Sequence, residues 1–205
     1  MTSVLTELPP DPRIAGRPRF SAESPMLTPT FEPDAPIFLV GFMATGKTTV
    51  GRILAARLGW KLVDLDEVIA GEAGKTVPEI FAAEGEAGFR ARETRALGAV
   101  SRERGQVVAT GGGAACREDN LQTMLAAGRV VTLAVTPEEA VRRARGGAGR
   151  PLLSGPDPVG AATALLAARA PFYARAHLSV DTVGRLPQDV AREVLAWVRP
   201  EGAAR

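Results

Sequence analysis

From Ala35 onward, short apolar runs alternate with longer stretches in which apolar residues recur every three or four positions. The runs Ile37–Val40, Lys61–Leu65, Gln106–Thr110, Arg129–Val135 and Leu178–Asp181 have the length and character of buried strands. The intervening periodicity predicts helices over 47–58, 66–72, 77–84, 86–103, 118–127, 137–145, 158–174 and 187–198. Strands separated by helices imply parallel βαβ units, right-handed crossovers and a doubly wound α/β sheet. Ligands of such sheets bind beyond the carboxyl ends of the strands, so the residues that follow each run carry the functional question.

The first 35 residues have a different texture. They hold seven of the 16 prolines and no sustained periodicity. Such a segment buries too little apolar surface to offset its ordering entropy, and we read 1–35 as a flexible, Pro-rich extension ahead of a domain spanning 36–200.

After the first run comes Gly41-Phe-Met-Ala-Thr-Gly-Lys-Thr48, which satisfies the P-loop pattern G-x-x-x-x-G-K-[ST]. An apolar run leads into it and a helical stretch leads out, as the mechanism requires. Backbone N–H groups of residues 44–49 and the helix N-terminus then face phosphate oxygens. Lys47 adds a point charge at the β/γ-phosphates, and the Thr48 hydroxyl suits Mg²⁺. At the end of the second run, Asp64 and Asp66 are spaced to share one face of an extended segment. One carboxylate would hold Mg²⁺ through its water shell and the other would orient or deprotonate an attacking hydroxyl. The competing reading makes Asp66 a helix N-cap. After the third run, Gly111, Gly112 and Gly113 let backbone and ligand approach closely and offer free N–H donors.

Three arginines complete the candidate set. Arg90 is spaced to pair with Glu86 on a helix, and Arg169 sits in Arg169-Ala-Pro-Phe-Tyr173. Arg150 lies in the basic, glycine-hinged stretch Arg142–Leu153, within an expected lid of about 143–156, and the following proline keeps it extended. A mobile basic segment of this kind suits a lid that closes over polyphosphate and delivers an arginine to the transferred group.

Composition narrows the classes modestly. A net charge of +2 gives no case for nucleic acid, and no aromatic residues interleave with the basic stretch as a stacking surface would need. No stretch reaches the roughly 18 apolar residues of a membrane span, and the N-terminus lacks the order of a signal peptide. The single cysteine, Cys116, excludes an internal disulfide and reads as a small filler residue; the expected location is cytoplasmic. The one histidine, His177, opens a strand and reads as structural.

Taken together, the P-loop through Arg52, Asp64-Leu-Asp66, Ile80-Phe81 through Glu86-Ala-Gly-Phe-Arg90, Thr110-Gly-Gly-Gly-Ala114, Arg150-Pro-Leu-Leu153 and Arg169-Ala-Pro-Phe-Tyr173 resemble shikimate kinase in order and spacing over roughly residues 37–198. The resemblance implies a nucleoside-monophosphate-kinase-like three-layer α/β/α fold with a five-stranded parallel sheet and a lid. It implies ATP-dependent, Mg²⁺-supported phosphorylation of the shikimate 3-hydroxyl by a monomer, with no nucleic-acid or membrane partner. Carried over by position, Ala44, Thr45, Gly46, Lys47, Thr48 and Thr49 would bind nucleotide, with Arg143 and Arg185 near the adenine and Arg150 on the lid. Thr48 and Asp64 would serve the metal. Asp66 would hold the reacting hydroxyl and act as base. Arg90 and Arg169 would clamp the carboxylate, beside Gly111, Gly112 and Gly113. Many family members have glycine where this chain has Ala44, which strains the loop if the backbone there needs positive φ. Two other readings fit parts of the pattern: a gluconate-kinase-like enzyme, and a kinase-like module that binds ligand without turnover.

Overall fold

The computed structural model describes residues 31–144 and 156–199. Five parallel strands, β1 (Ile37–Val40), β2 (Lys61–Asp64), β3 (Gln106–Ala109), β4 (Arg129–Ala134) and β5 (Leu178–Asp181), lie in the order β2-β3-β1-β4-β5. Seven helices, α1 (Lys47–Leu58), α2 (Leu65–Ala73), α3 (Val77–Val100), α4 (Glu118–Ala127), α5 (Pro137–Ala144), α6 (Pro158–Tyr173) and α7 (Pro187–Val198), connect or flank them among the described residues. The expected α/β class and five-stranded parallel sheet are those found.

Both β1 and β3 are buried along their whole length, as expected of central parallel strands covered on both faces. Side-chain alternation along β1 splits the core. Phe38 and Val40 face α2, α3 and α4, among Ile69, Ile80, Leu97, Leu121 and Met124. Ile37 and Leu39 face α1 and α7, among Val50, Leu54, Val190 and Val194. Leu54 is fully buried, so Leu54→Ala should cost about 2–5 kcal/mol. Because β1 has β3 on one side and β4 on the other, its carboxyl end is the point where strand order reverses, and the P-loop issues there.

Local chemistry accounts for the helix boundaries. Thr76 and Glu79 form a reciprocal capping box ahead of α3, and Asp157 caps α6 with Pro158 following. The expected break between 84 and 86 is present: Gly85 interrupts α3 with φ 68° and ψ −175°. A two-pronged Arg92–Glu84 ion pair, 2.8 Å at each prong, bridges the break. The second half of α3 leaves it on a new axis and carries Arg90 and Glu93.

Two sequence expectations need correction. β2 ends at Asp64 and Leu65 begins α2, so Asp66 lies in a helical first turn and not in an extended segment. The cap of α2 is Asp64, whose Oδ1 accepts from the Asp66 N–H at 3.1 Å. Residues 31–35, assigned to the extension, make defined contacts. The Arg129 guanidinium donates to the carbonyls of Glu32 and Ala35 and lies 5.0 Å over the Phe31 ring. Residues 1–30 of the extension lie outside the described residues, as does 145–155, the larger part of the expected lid.

Candidate active site

The nucleotide side is built by the turn from β1 into α1. A Cβ at Gly41 would collide with the Leu133 carbonyl, so the loop can lie this close to β4 only with glycine there. Gly46, at φ 90°, starts α1 without a side-chain cap, which leaves the first N–H groups of the helix for an anion. Ala44 has φ 61°, the one positive-φ residue other than glycine among the described residues. The loop therefore does need the conformation that strains alanine. The buried Thr45 hydroxyl donates to Phe42 O at 3.0 Å. Lys47 Nζ donates to Gly41 O and Phe42 O at 2.9 and 2.8 Å, lying along the loop it would share with phosphates.

Thr48 Oγ1 donates to Asp64 Oδ2 at 2.8 Å, so the two expected metal-side residues meet. A hydroxyl and a carboxylate of this kind are the hard oxygen donors that Mg²⁺ takes. Beyond the loop, a cavity of about 380 Å³ is lined by Ala44, Thr49, Arg143, Thr182 and Arg185, among others. Arg143 is fixed on four sides: Nε to Glu139 at 2.7 Å, and Nη atoms to Thr182 Oγ1, Thr182 O and Ala44 O at 3.0, 2.6 and 3.4 Å. Arg185 bonds to Asp181 O and pairs with Glu193 at 2.6 Å. Arg143 and Arg185, both expected near the adenine, thus border one cavity with the loop. Arg150 lies outside the described residues.

The acceptor side is organised by the three glycines after β3. Each lies against a different functional group. A Cβ on Gly111 would sit 3.0 Å from Glu93 Oε1 and 3.1 Å from Asp66 Oδ1. One on Gly112 would sit 3.4 Å from Met43 N of the P-loop and 3.6 Å from Arg169 Nη1. One on Gly113 would sit 2.8 Å from Arg90 Nη2. None of the three has positive φ, so close approach and not turn geometry explains Gly111 and Gly113, whereas a Cβ at Gly112 would make only ordinary contacts. A turn with a single glycine would crowd either Arg90 or the Glu93 and Asp66 carboxylates.

Charge in this pocket is arranged with little slack. Arg90 pairs with the exposed Glu86 at 3.3 Å, as its spacing suggested, and with Glu93 at 2.9 Å. Glu93 is fully buried, and its Oε1 has no hydrogen-bond partner. Burial raises the Glu93 carboxyl above its ordinary value, while Arg90 pulls it down. Burial also raises Asp66, reinforced by the Asp64 carboxylate and opposed by Lys47 and Arg90. Arg169 Nη1 and the Tyr173 hydroxyl both donate to Gly112 O, at 3.0 and 2.6 Å. Sequence reasoning missed Glu93, Glu139, Thr182 and Tyr173. Glu93 and Glu139 had a readable local signal, their spacing of three residues from Arg90 and four from Arg143.

A family model described as shikimate kinase matches residues 43–199. The chain belongs to the shikimate kinase family. A shikimate kinase of Symbiobacterium thermophilum is 48% identical over 169 residues, covering 81% of this chain and 97% of the relative. Among solved structures, shikimate kinase from Acinetobacter baumannii in complex with shikimate superposes with a TM-score of 0.79 at 38% identity, covering 85% of this chain and 98% of that one. A gluconokinase from Sinorhizobium meliloti shares the fold at a TM-score of 0.56 and 16% identity, over 82% of this chain and 93% of that one. The last likeness is one of fold alone and gives the gluconate alternative no support. No helix among the described residues is long and apolar enough to cross a membrane.

Proposed function

We propose that this chain transfers the γ-phosphoryl group of ATP to the 3-hydroxyl of shikimate, a step towards chorismate and the aromatic amino acids, and that the residues above act in the following roles. The reading rests on one arrangement. A carboxylate pair and two arginines each lie against one glycine of 111–113, and the same run reaches the P-loop at Met43. That provides an acceptor pocket with one end for hydroxyls and one for a carboxylate, adjoining a phosphate-binding turn.

Arg90 and Arg169 bind the shikimate carboxylate and so fix the ring's orientation. Asp66 accepts a hydrogen bond from the 3-hydroxyl and takes its proton as the new P–O bond forms. Its raised carboxyl is a better base than an ordinary aspartate. Glu93 keeps the Arg90 guanidinium against Gly113, and its free Oε1 faces the hydroxyl end beside Asp66. Lys47 and the N–H groups of 44–49 hold the phosphates, and Arg150 on the lid neutralises charge on the transferred group. Thr48 and Asp64 would hold Mg²⁺, which when bound neutralises charge on the β- and γ-phosphates. Arg143 and Arg185 flank the base. No covalent intermediate is required, so the pocket needs no nucleophilic cysteine or histidine. We further propose that the enzyme acts as a cytoplasmic monomer.

A coupled ADP-release assay with shikimate, gluconate or no acceptor tests the reading. Shikimate-dependent release is expected, and release with gluconate but not shikimate would overturn it. Binding of both substrates without ADP release would identify a sensing module instead.

A further inference from the structure

Arg117 violates three local preferences at once. It occupies the N-cap of α4, where Ser, Thr, Asp or Asn is favoured, and it makes no side-chain capping bond. It places a cation at the positive end of a helix dipole. It faces a cavity of about 620 Å³ that already holds the guanidinium groups of Arg90 and Arg169. Glu86 is the one carboxylate among that cavity's described lining residues, and it is paired with Arg90.

No direct ion pair holds Arg117, although its charge reaches the buried Glu93 carboxyl from a longer distance. The adjacent Glu118 is engaged on its other side by Arg175, with bonds of 2.6 and 2.9 Å. Among the described residues no carboxylate lies within ion-pair distance of the Arg117 guanidinium. The other two arginines of the cavity are held: Arg90 by Glu86 and Glu93, and Arg169 by Gly112 O. Arg117 is also exposed, whereas the other two are set back. An unpaired, exposed cation at the mouth, in front of two fixed ones, suits an anion that enters from solvent.

We propose that Arg117 is a third acceptor-binding cation, which captures the substrate carboxylate at the cavity mouth and passes it to Arg90 and Arg169. The inference rests on the acceptor reading given above and assigns the entrance of that site. The Arg117 side chain contributes mainly to association, so its effect should be screened by salt.

The test compares the parent with Arg117→Gln and Arg117→Lys. At low ionic strength Arg117→Gln should raise the KM for shikimate three- to tenfold, leave the KM for ATP unmoved and change kcat less than twofold. At 0.5 M salt the KM difference should shrink below twofold, and Arg117→Lys should recover most of the parental KM. Calorimetric titration adds a control for fold: a shikimate analogue with the carboxylate reduced to an alcohol should bind parent and Arg117→Gln alike. Shikimate KM values within 1.5-fold of the parent at low salt, or an equal rise in the KM for ATP, would overturn the proposal. A parent that releases ADP normally while the variant matches it rejects Arg117 alone. A parent that neither binds shikimate nor turns over rejects the acceptor reading and this inference with it.

Discussion

Ala44 offers the sharpest test of the P-loop geometry, because two substitutions there should move stability in opposite directions. With φ at 61°, its Cβ crowds the following carbonyl, which costs an L-residue about 1–2 kcal/mol. Ala44→Gly removes that strain. Two effects oppose the gain: glycine widens the unfolded ensemble by about 0.4–1 kcal/mol, and the half-buried methyl gives up about 0.4 kcal/mol of burial. The net expectation is a stabilisation of about half a kcal/mol, or about 1–2 °C in Tm for a domain of this size. Ala44→Val keeps the strain and adds β-branching where positive φ is a true outlier, so it should cost about 2 kcal/mol or more and lower Tm by at least about 4 °C. Thermal melts followed by far-UV circular dichroism, checked by urea titration, read both effects. The contrast is more informative than either value, since errors in the individual contributions largely cancel between variants at one site. A glycine variant that melts well below the parent together with a neutral valine variant would mean that residue 44 does not hold a left-handed conformation. The same outcome would undo the account of how the loop presents its N–H groups.

Lys47→Ala should reduce kcat by several orders of magnitude in the ADP-release assay, and near-normal turnover would contradict the P-loop assignment. Arg169→Ala should raise the KM for shikimate much more than that for ATP; equal effects would point to a damaged fold. Asp66→Asn should lower kcat by about 10²- to 10⁴-fold. Because the Asp66 carboxyl is raised above 3.8 and must be ionised to act, parental activity should fall as pH drops through a value above 3.8, a limb absent from the residual rate of the variant. His177 is lowered from 6.5 by burial and by the charge of Arg129, and its Nδ1 accepts from the Val130 N–H at 2.9 Å, which only the neutral ring can do. The unfolded chain therefore binds this proton first, so parental stability should fall relative to His177→Gln as pH drops below about 6.5, levelling off below the folded value. A constant difference between the two proteins from pH 8 to 5 would remove His177 from that role.

How much of this was legible in the sequence differs by level. Strands β1 and β3 were readable because a strand buried on both faces is apolar throughout, and Ile-Phe-Leu-Val and Gln-Val-Val-Ala leave few alternatives. The break at Gly85 was readable because glycine parted two periodic stretches. The Asp66 geometry was misread. An i, i+2 pair looks co-facial only if the strand continues, and here the Asp64 carboxylate ends it by capping α2 and accepting from Thr48. The burial of Glu93 was illegible for a different reason. Within Arg90-Ala-Arg-Glu-Thr-Arg the residue has the composition of a solvated helix face, and only the packing of α3 over the glycine run makes it fully buried.

The arginines make the same point from the other side. Arg90 and Arg142 both have a glutamate three or four residues away, and local spacing treats them alike. Tertiary position separates them. Arg142 remains mostly exposed on its pair, where solvent screens the attraction. Arg90 is pressed against Gly113, where a single added methyl group would come within 3.0 Å of both terminal nitrogens. The acceptor site is therefore written less in its charges, which the chain has in abundance, than in the places where a side chain has been left out. Gly111 and Gly113 each mark the position of a group that must come close. Substituting them singly with alanine should accordingly damage separate functions. Gly113→Ala should displace Arg90 and raise the KM for shikimate, whereas Gly111→Ala should crowd Asp66 and Glu93 and lower kcat. Identical losses from both would mean that the run serves only as a turn.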